Sequence, residues 1–254
     1  MTRVILSGYT GKLGRAIAEA MAESGAMEIV AGVAVDAGQT PCAFPAYTDI
    51  ADCGVQADVV VDCTVAHVVP RVLDYAMKTK TPAVICTTGL DAACEAKLTE
   101  AAGIVPVFRA ANLSLGVNLV AELLEKMTRV LATSGFDVEI VEKHHNKKLD
   151  APSGTALVLA DAVNAAADGV YEYVFDRSQV RQARGKKELG IHAVRGGTIV
   201  GEHSVIFAGK DEVVEIKHSA ASKEVFATGA VKAVAYIVQK PAGLYGMRDL
   251  MADA

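Results

Sequence analysis

Fifteen residues near the middle of the chain, EKHHNKKLDAPSGTA over 142–156, bring several reactive side chains together. His144 and His145 are adjacent, Lys147, Lys148 and Asp150 follow, and Pro152-Ser153-Gly154-Thr155 has the composition of a helix start. Imidazole titrates near neutrality and suits proton transfer. Lys148 adds a positive charge and a proton donor. The N–H groups of a helix opening at Ser153 can hold an anion such as a carboxylate. Gly154 allows close approach there, and Thr155 adds a hydroxyl. The chemistry on offer is proton transfer beside a carboxylate cradle. A metal centre is the weaker reading. Neighbouring histidines on a regular strand face opposite ways, no cysteine lies close, and His192, His203 and His218 complete no familiar ligand spacing. No metal is therefore expected. A plain polar turn, with Ser153 as a helix cap and the lysines solvated, stays open as an alternative.

A second constellation lies at the start, VILSGYTGKLGRAIAEAM over 4–21. Gly8, Gly11 and Gly14 fall between a buried strand over 4–7 and a helix whose apolar face is Leu13, Ile17 and Met21. Bare backbone at such a turn lets a pyrophosphate reach a helix N-terminus. The spacing is G-x-x-G-x-x-G rather than the commoner G-x-G-x-x-G. Asp36, at the end of a predicted strand over 28–36, lies 22 residues beyond Gly14 and is placed to accept hydrogen bonds from ribose hydroxyls. A carboxylate there repels a 2′-phosphate, and Ala37 brings no charge to hold one. The lean is to NADH over NADPH, with Lys12 and Arg15 pulling the other way. ICTTG over 85–89 and AANLS over 110–114 end further strands, where ligands of parallel sheets sit. Ordinary loop and cap residues would read the same way.

The elements that must position these groups fall into two rhythms. Strands over 59–62, 83–86 and 105–108 alternate with helices over 70–78 and 91–102, which predicts a parallel sheet covered on both faces. After Asn112 come a long helix over 114–131, a strand over 136–143 and a helix over 153–167. Strands over 191–194, 199–207 and 212–218 follow in quick succession, the last two joined at Gly209-Lys210-Asp211 as a hairpin. A helix over 223–239 closes the set. The expected fold is α/β: a Rossmann-like, doubly wound dinucleotide-binding half, then an α+β half with an open mixed sheet.

The chain has 254 residues, 52% of them hydrophobic, which supplies a large core. A net charge of −5 argues against nucleic-acid binding. The five cysteines, Cys42, Cys53, Cys63, Cys86 and Cys94, form no C-x-x-C pair, as expected of reduced thiols. The N-terminus reads as a strand and not as a secretory signal. No apolar run reaches the ~18 residues of a membrane span. The expected compartment is the cytoplasm, with no membrane partner.

EKHHNKKLDAPSGTA closely resembles the signature of the 4-hydroxy-tetrahydrodipicolinate reductase (dihydrodipicolinate reductase) family of diaminopimelate and lysine synthesis. The likeness extends through TTG at 87–89, AANLSLGVN at 110–118, GTIVGEHSVIF at 197–207 and GLYGMRDL at 243–250. It implies reduction of 4-hydroxy-tetrahydrodipicolinate to tetrahydrodipicolinate by NAD(P)H with loss of water. It implies His144 as the group that gives or takes the proton, Lys148 as its catalytic partner, and His145, Gly154 and Thr155 as contacts to the small dicarboxylate substrate. It implies a cofactor site of Gly8, Tyr9, Thr10, Gly11, Lys12, Leu13, Asp36, Cys86, Thr87, Thr88, Ala111, Asn112, Leu113 and Ser114. Ala37 stands where the family often has an arginine, and Cys86 where glycine is common, so contact at Cys86 would be through backbone. The resemblance also implies a nucleotide domain of residues 1–113 and 226–254, a substrate domain of residues 114–225, and a homotetramer formed through the second sheet. Another nicotinamide oxidoreductase of the same layout, such as an amino-acid dehydrogenase, or a non-catalytic NADH-binding redox sensor, would not need the paired histidines, lysine and Ser-Gly-Thr together.

Overall fold

The computed structural model describes residues 1–253, and the chain divides into two compact units. The first holds Met1–Leu115 and the chain from Glu224 onward, and the second holds Gly116–Lys223.

The first unit opens with β1 (Thr2–Ser7), buried from Val4 to Ser7, and α1 (Lys12–Ser24), which buries Gly14, Ile17 and Met21. The helix stops at Gly25, in the left-handed conformation that glycine adopts without strain. Then come β2 (Met27–Val33), β3 (Ala46–Tyr47), β4 (Val59–Asp62), α2 (Val69–Thr79) with Pro70 in its first turn, β5 (Ala83–Ile85), α3 (Ala92–Ala102) and β6 (Pro106–Arg109). Asp91 caps α3 by accepting the Cys94 N–H. The second unit is built from α4 (Leu115–Leu131), β7 (Asp137–His144), α5 (Gly154–Ala166), β8 (Glu172–Val174), β9 (Glu188–Arg195), β10 (Gly201–Ala208) and β11 (Val213–Ala220). The chain closes with α6 (Glu224–Ile237), β12 (Gly243–Tyr245) and α7 (Met247–Ala252), which belong to the first unit.

The first unit's sheet has seven strands in the order β12-β6-β5-β4-β1-β2-β3, all parallel. Alternate residues feed two cores. Val4, Leu6, Val59 and Val61 pack with Ile17, Met21, Ala230 and Val234 of α1 and α6. Ile5 and Val60 pack with Val72, Leu73, Leu98 and Ala101 of α2 and α3. The order runs outward in both directions from β1, so the crevice beyond the carboxyl ends of β1 and β4 is the switch point where such sheets take ligands.

The second unit's sheet is mixed, in the order β11-β10-β7-β9-β8. β7 pairs parallel with β9 and antiparallel with β10, which in turn pairs antiparallel with β11. The buried face of β7 carries Val138, Ile140, Glu142 and His144 in strict alternation. Val138 and Ile140 share a core with Val117 and Leu124 of α4 and Leu159 and Val163 of α5.

Both expected architectures are present, and most element ends shift by one or two residues. One shift has consequences. β2 ends at Val33, not at Asp36. The Ala37 N–H bonds the Ala34 carbonyl and the Gln39 N–H that of Asp36, so VDAGQT turns away from the sheet. Asp36 therefore sits in a turn, three residues past its strand. The two- and three-residue strands β3, β8 and β12, and the short α7, are too brief to leave a periodic signal.

Gly14 is where α1 meets the loop ahead of it. A Cβ there would stand 2.1 Å from the Gly8 carbonyl oxygen. Gly14→Ala should gain at most about 1 kcal/mol of helix propensity and lose about 1–3 kcal/mol or more to overpacking against backbone. Urea denaturation should show a net loss; an unchanged midpoint would mean the turn can give way.

Candidate active site

In the first unit, β1 delivers the chain to Gly8, whose φ of +90° is open to glycine and strained for other residues. A Cβ at Gly8 would also lie 2.9 Å from the Cys63 carbonyl oxygen at the end of β4. Gly11 is the N-cap of α1 and brings no side-chain cap, leaving the first-turn amides to another acceptor. A cleft of about 620 Å³ opens here, lined by Gly8, Thr10, Gly11, Cys63, Thr64 and Asp49 among others. Thr10 Oγ1 donates to Asp36 Oδ1 at 2.8 Å, which anchors the carboxylate of the turn after β2 to the glycine turn. A glycine turn, uncapped amides and an anchored acid fit a dinucleotide.

The remaining cofactor candidates differ in what they can offer. Lys12, Thr88 and Ala111 are exposed. Tyr9 is buried, its ring packed edge-on against Phe44. Leu13 lies against the core, and Leu113 is buried beside α6, where a Cβ on Gly229 would meet its carbonyl oxygen at 1.8 Å. Thr87 is buried and its hydroxyl donates to Asp62 Oδ2 at 2.5 Å. Burial pushes the pKa of Asp62 up. Burial also drives the Cys86 thiol well above its usual range. The side chains of Tyr9, Cys86, Thr87 and Leu113 are buried, so contact with a ligand there would have to be through backbone. Asn112 Oδ1 accepts the Ser114 N–H at 2.9 Å, an Asx turn leading into α4. Cys63, Thr64 and His67 line the cleft without having been singled out. Their signal was available, since they follow the fully buried strand β4 directly.

In the second unit, His144 is the last residue of β7 and lies on its buried face, while His145 is half-buried in the loop beyond. His144 Nδ1 is 2.7 Å from Glu142 Oε2. Glu142, fully buried, also accepts from Arg195 Nη1 and Nη2 at 2.7 and 2.8 Å and from the Ser153 N–H at 3.0 Å. Burial alone would raise its pKa, but the Arg195 guanidinium, the His144 ring and the Ser153 N–H together hold it below the usual carboxylate value. The same carboxylate thus anchors the histidine and the first turn of α5.

Ser153 caps α5 by accepting the Ala156 N–H, and its Oγ is joined to His203 Nε2 at 2.8 Å. The His203 and His144 rings meet edge to face, 5.2 Å between centroids. Gly154 is the first residue of α5, and a Cβ on it would meet no protein atom within 4 Å. Nothing in the protein requires glycine there, which suits a site kept bare for a ligand. His145 Nδ1 is buried with no hydrogen-bond partner among the described residues. Lys148 Nζ donates to both oxygens of Asp150, at 2.7 and 2.8 Å. This bond is the main reason the Asp150 pKa lies low. Thr155 follows Gly154 in the first turn, half-buried. The described residues hold no group of three His, Cys, Asp or Glu that could take a metal ion.

Glu142, Arg195 and His203 were not assigned roles from the sequence. Glu142 carried a signal, a charge at the inward position of a strand whose preceding inward residues, Val138 and Ile140, are apolar. Arg195 carried none: it meets Glu142 because β9 lies parallel beside β7, with His144 opposite Arg195 in register.

Comparison with known proteins agrees with this layout. Residues 2–113 match the family described as "Dihydrodipicolinate reductase, N-terminus" and residues 116–251 the one described as "Dihydrodipicolinate reductase, C-terminus". The chain is 47% identical over 251 residues to a 4-hydroxy-tetrahydrodipicolinate reductase of Caldanaerobacter subterraneus subsp. tengcongensis, covering 99% of this chain and 98% of that one. The corresponding protein of Clostridium novyi is 43% identical at the same coverage. Among solved structures, a dipicolinate-bound dihydrodipicolinate reductase from Paenisporosarcina sp. TG-14 shares the fold, with a TM-score of 0.82, 22% identity and coverage of 98% and 99% of the two chains.

Burial, and next the neighbouring His144, lower the His203 pKa to about 4. An unfolded histidine titrates near 6.5, so the unfolded chain binds more protons between those values. The stability tied to a neutral His203 is complete above about pH 6.5 and is lost as pH falls toward about 4. Denaturation at pH 7.5 and pH 5 should show the intact protein weakening by about 1–3 kcal/mol. His203→Gln should show a shallower fall; an identical fall would remove His203 as the cause.

Proposed function

The chain belongs to the dihydrodipicolinate reductase family, and on that premise we propose how its residues divide the work. The enzyme reduces 4-hydroxy-tetrahydrodipicolinate to tetrahydrodipicolinate with a reduced pyridine nucleotide and releases water, within diaminopimelate and lysine biosynthesis. Substrate, NAD(P)H and a proton give product, NAD(P)+ and water.

The observation that carries the assignment is the shared anchor: one buried carboxylate, Glu142, holds both the ring of His144 and the backbone at the head of α5. Proton carrier and anion cradle are thereby fixed together, as the reduction of a dicarboxylate needs. When bound, the reduced nicotinamide supplies the hydride. His144 supplies the proton. His145, Gly154 and Thr155 receive a substrate carboxylate at the positive end of α5. Lys148 acts as a fixed charge toward the dicarboxylate, since its ammonium is already held by both oxygens of Asp150. In the first unit, Gly8, Thr10, Gly11 and Lys12 take the pyrophosphate, and Asp36, steadied by Thr10, takes the ribose hydroxyls. With a carboxylate at Asp36 and no charge at Ala37, NADH is the preferred cofactor over NADPH. Tyr9, Leu13, Cys86, Thr87, Thr88 and Ala111 to Ser114 complete that site, the buried ones through backbone.

No helix among the described residues is long and apolar enough to cross a membrane. The cytoplasm is the compartment proposed. A homotetramer formed through the second sheet is the assembly proposed, supported by β11, an edge strand that leaves Val213 63% and Val214 37% exposed. Light scattering should return four 26.5 kDa chains; one or two chains would overturn it.

The activity test follows NADH and NADPH absorbance with aldolase-generated substrate. NADH should be oxidised with the higher kcat/KM. His144→Gln should lower kcat by about 100-fold or more with cofactor affinity kept, and an unchanged kcat would reject His144. Lys148→Ala should raise KM and lower kcat; if both stay unchanged, Lys148 is only a surface charge.

A further inference from the structure

We infer that Glu142 is the positioning residue of the reaction: it fixes which nitrogen of His144 carries the mobile proton and locks that ring to the head of α5. The inference rests on the reading of His144 as the proton carrier.

A carboxylate removed from water needs an opposite charge and a full set of donors. Glu142 has both. Oε1 accepts from the Ser153 N–H and Arg195 Nη2, and Oε2 accepts from Arg195 Nη1 and His144 Nδ1. The bidentate guanidinium keeps the carboxylate ionised without help from His144. An ionised carboxylate can only accept, so the hydrogen between Glu142 and His144 belongs to Nδ1. Nε2 is left as the one nitrogen that gains or loses a proton. Space beside it is kept by Gly201, on which a Cβ would stand 3.1 Å from Nε2.

Arg195 also sets how strongly the carboxylate acts. Shared with the guanidinium, its negative charge is answered in place, and a variant that loses the carboxylate alone leaves the guanidinium beside the ring. The other charged or titratable groups around this site are few. His203 on β10 packs against the His144 ring, and burial keeps it neutral. Lys148, in the loop after β7, is compensated by Asp150. His218 lies opposite His203 on β11, its pKa also lowered by burial. The Glu142–Arg195 pair is the charged group that touches the ring directly.

A structural staple would make the same contacts, so the test must read the ring itself. The His144 ring is titrated by NMR in the intact protein and in Glu142→Gln, alongside the pH dependence of kcat/KM. The expected result is a His144 midpoint lowered by about one pH unit or more, a matching downward move of the pH break, and at least a tenfold loss of kcat with KM for the cofactor unchanged. If Glu142→Gln fails to fold, the double variant Glu142→Leu, Arg195→Leu removes the ion pair as a whole, and the ring nitrogen shifts should then lose the single Nδ1-protonated tautomer of neutral His144. An unmoved His144 midpoint in Glu142→Gln, or an unchanged tautomer in the double variant, overturns the inference. His144→Gln separates the two failures. Retained turnover there rejects His144 as proton carrier, whereas an unmoved midpoint or tautomer in the Glu142 variants rejects only the positioning role.

Discussion

A carboxylate taken fully out of water has to be met by charge and by hydrogen bonds from every side, and in the second unit that group is Glu142. Its position follows from strand geometry. Alternation sends Val138, Ile140, Glu142 and His144 to one face of β7, and the first two bury themselves under α4 and α5. The third is thereby dragged into the same dry layer. Arg195 answers its charge from the neighbouring strand, and the Arg195 Nη2 group also reaches the Asp150 carbonyl at 2.7 Å. Strand end, active loop and helix head are thus tied to one ion pair. Removing one partner of such a pair strands the other, a loss of about 3–5 kcal/mol in comparable buried sites.

The first unit solves a different problem. Its ligand is large and anionic, and the fold answers with bare backbone instead of side chains. Gly8 turns the chain where other residues would be strained, and Gly14 lets α1 sit directly on that turn. A fixed charge is brought to the turn by Asp36, held by Thr10. Such a turn offers amides that do not titrate, whereas the second unit's cluster is built largely from side chains that do. The two chemistries are separated along the chain as well as in kind.

Much of this was legible in the residues. The glycine turn, the alternation of strands and helices up to Asn112, and the Ser153 helix start are local signals, written within a few residues of where they act. Asp36 was recognised by spacing but misplaced on its strand, because the VDAGQT turn begins before the acid and not after it. What could not be read was pairing across the sheet. No local pattern announces that Arg195 meets Glu142 or that His203 reaches Ser153, since strand order alone brings them together. The motif displayed the histidine, lysine and helix start, and even Glu142, while the partners that complete their anchoring, Arg195 and His203, stand 53 and 50 residues away in sequence from Glu142 and Ser153.

That distance has a bearing on how the chain comes to life. β7 and β9 run parallel, so they cannot be joined by a tight turn, and the Glu142–Arg195 bond spans 53 residues. Contacts of such separation form late, after the loop between them has been closed. A nascent or partly folded chain can carry every residue of EKHHNKKLDAPSGTA, with α5 already wound, and still lack an aligned histidine. The Glu142–Arg195 bond, and with it the alignment of the His144 ring, is then among the last contacts to form as the chain folds and among the first to go as the second sheet opens.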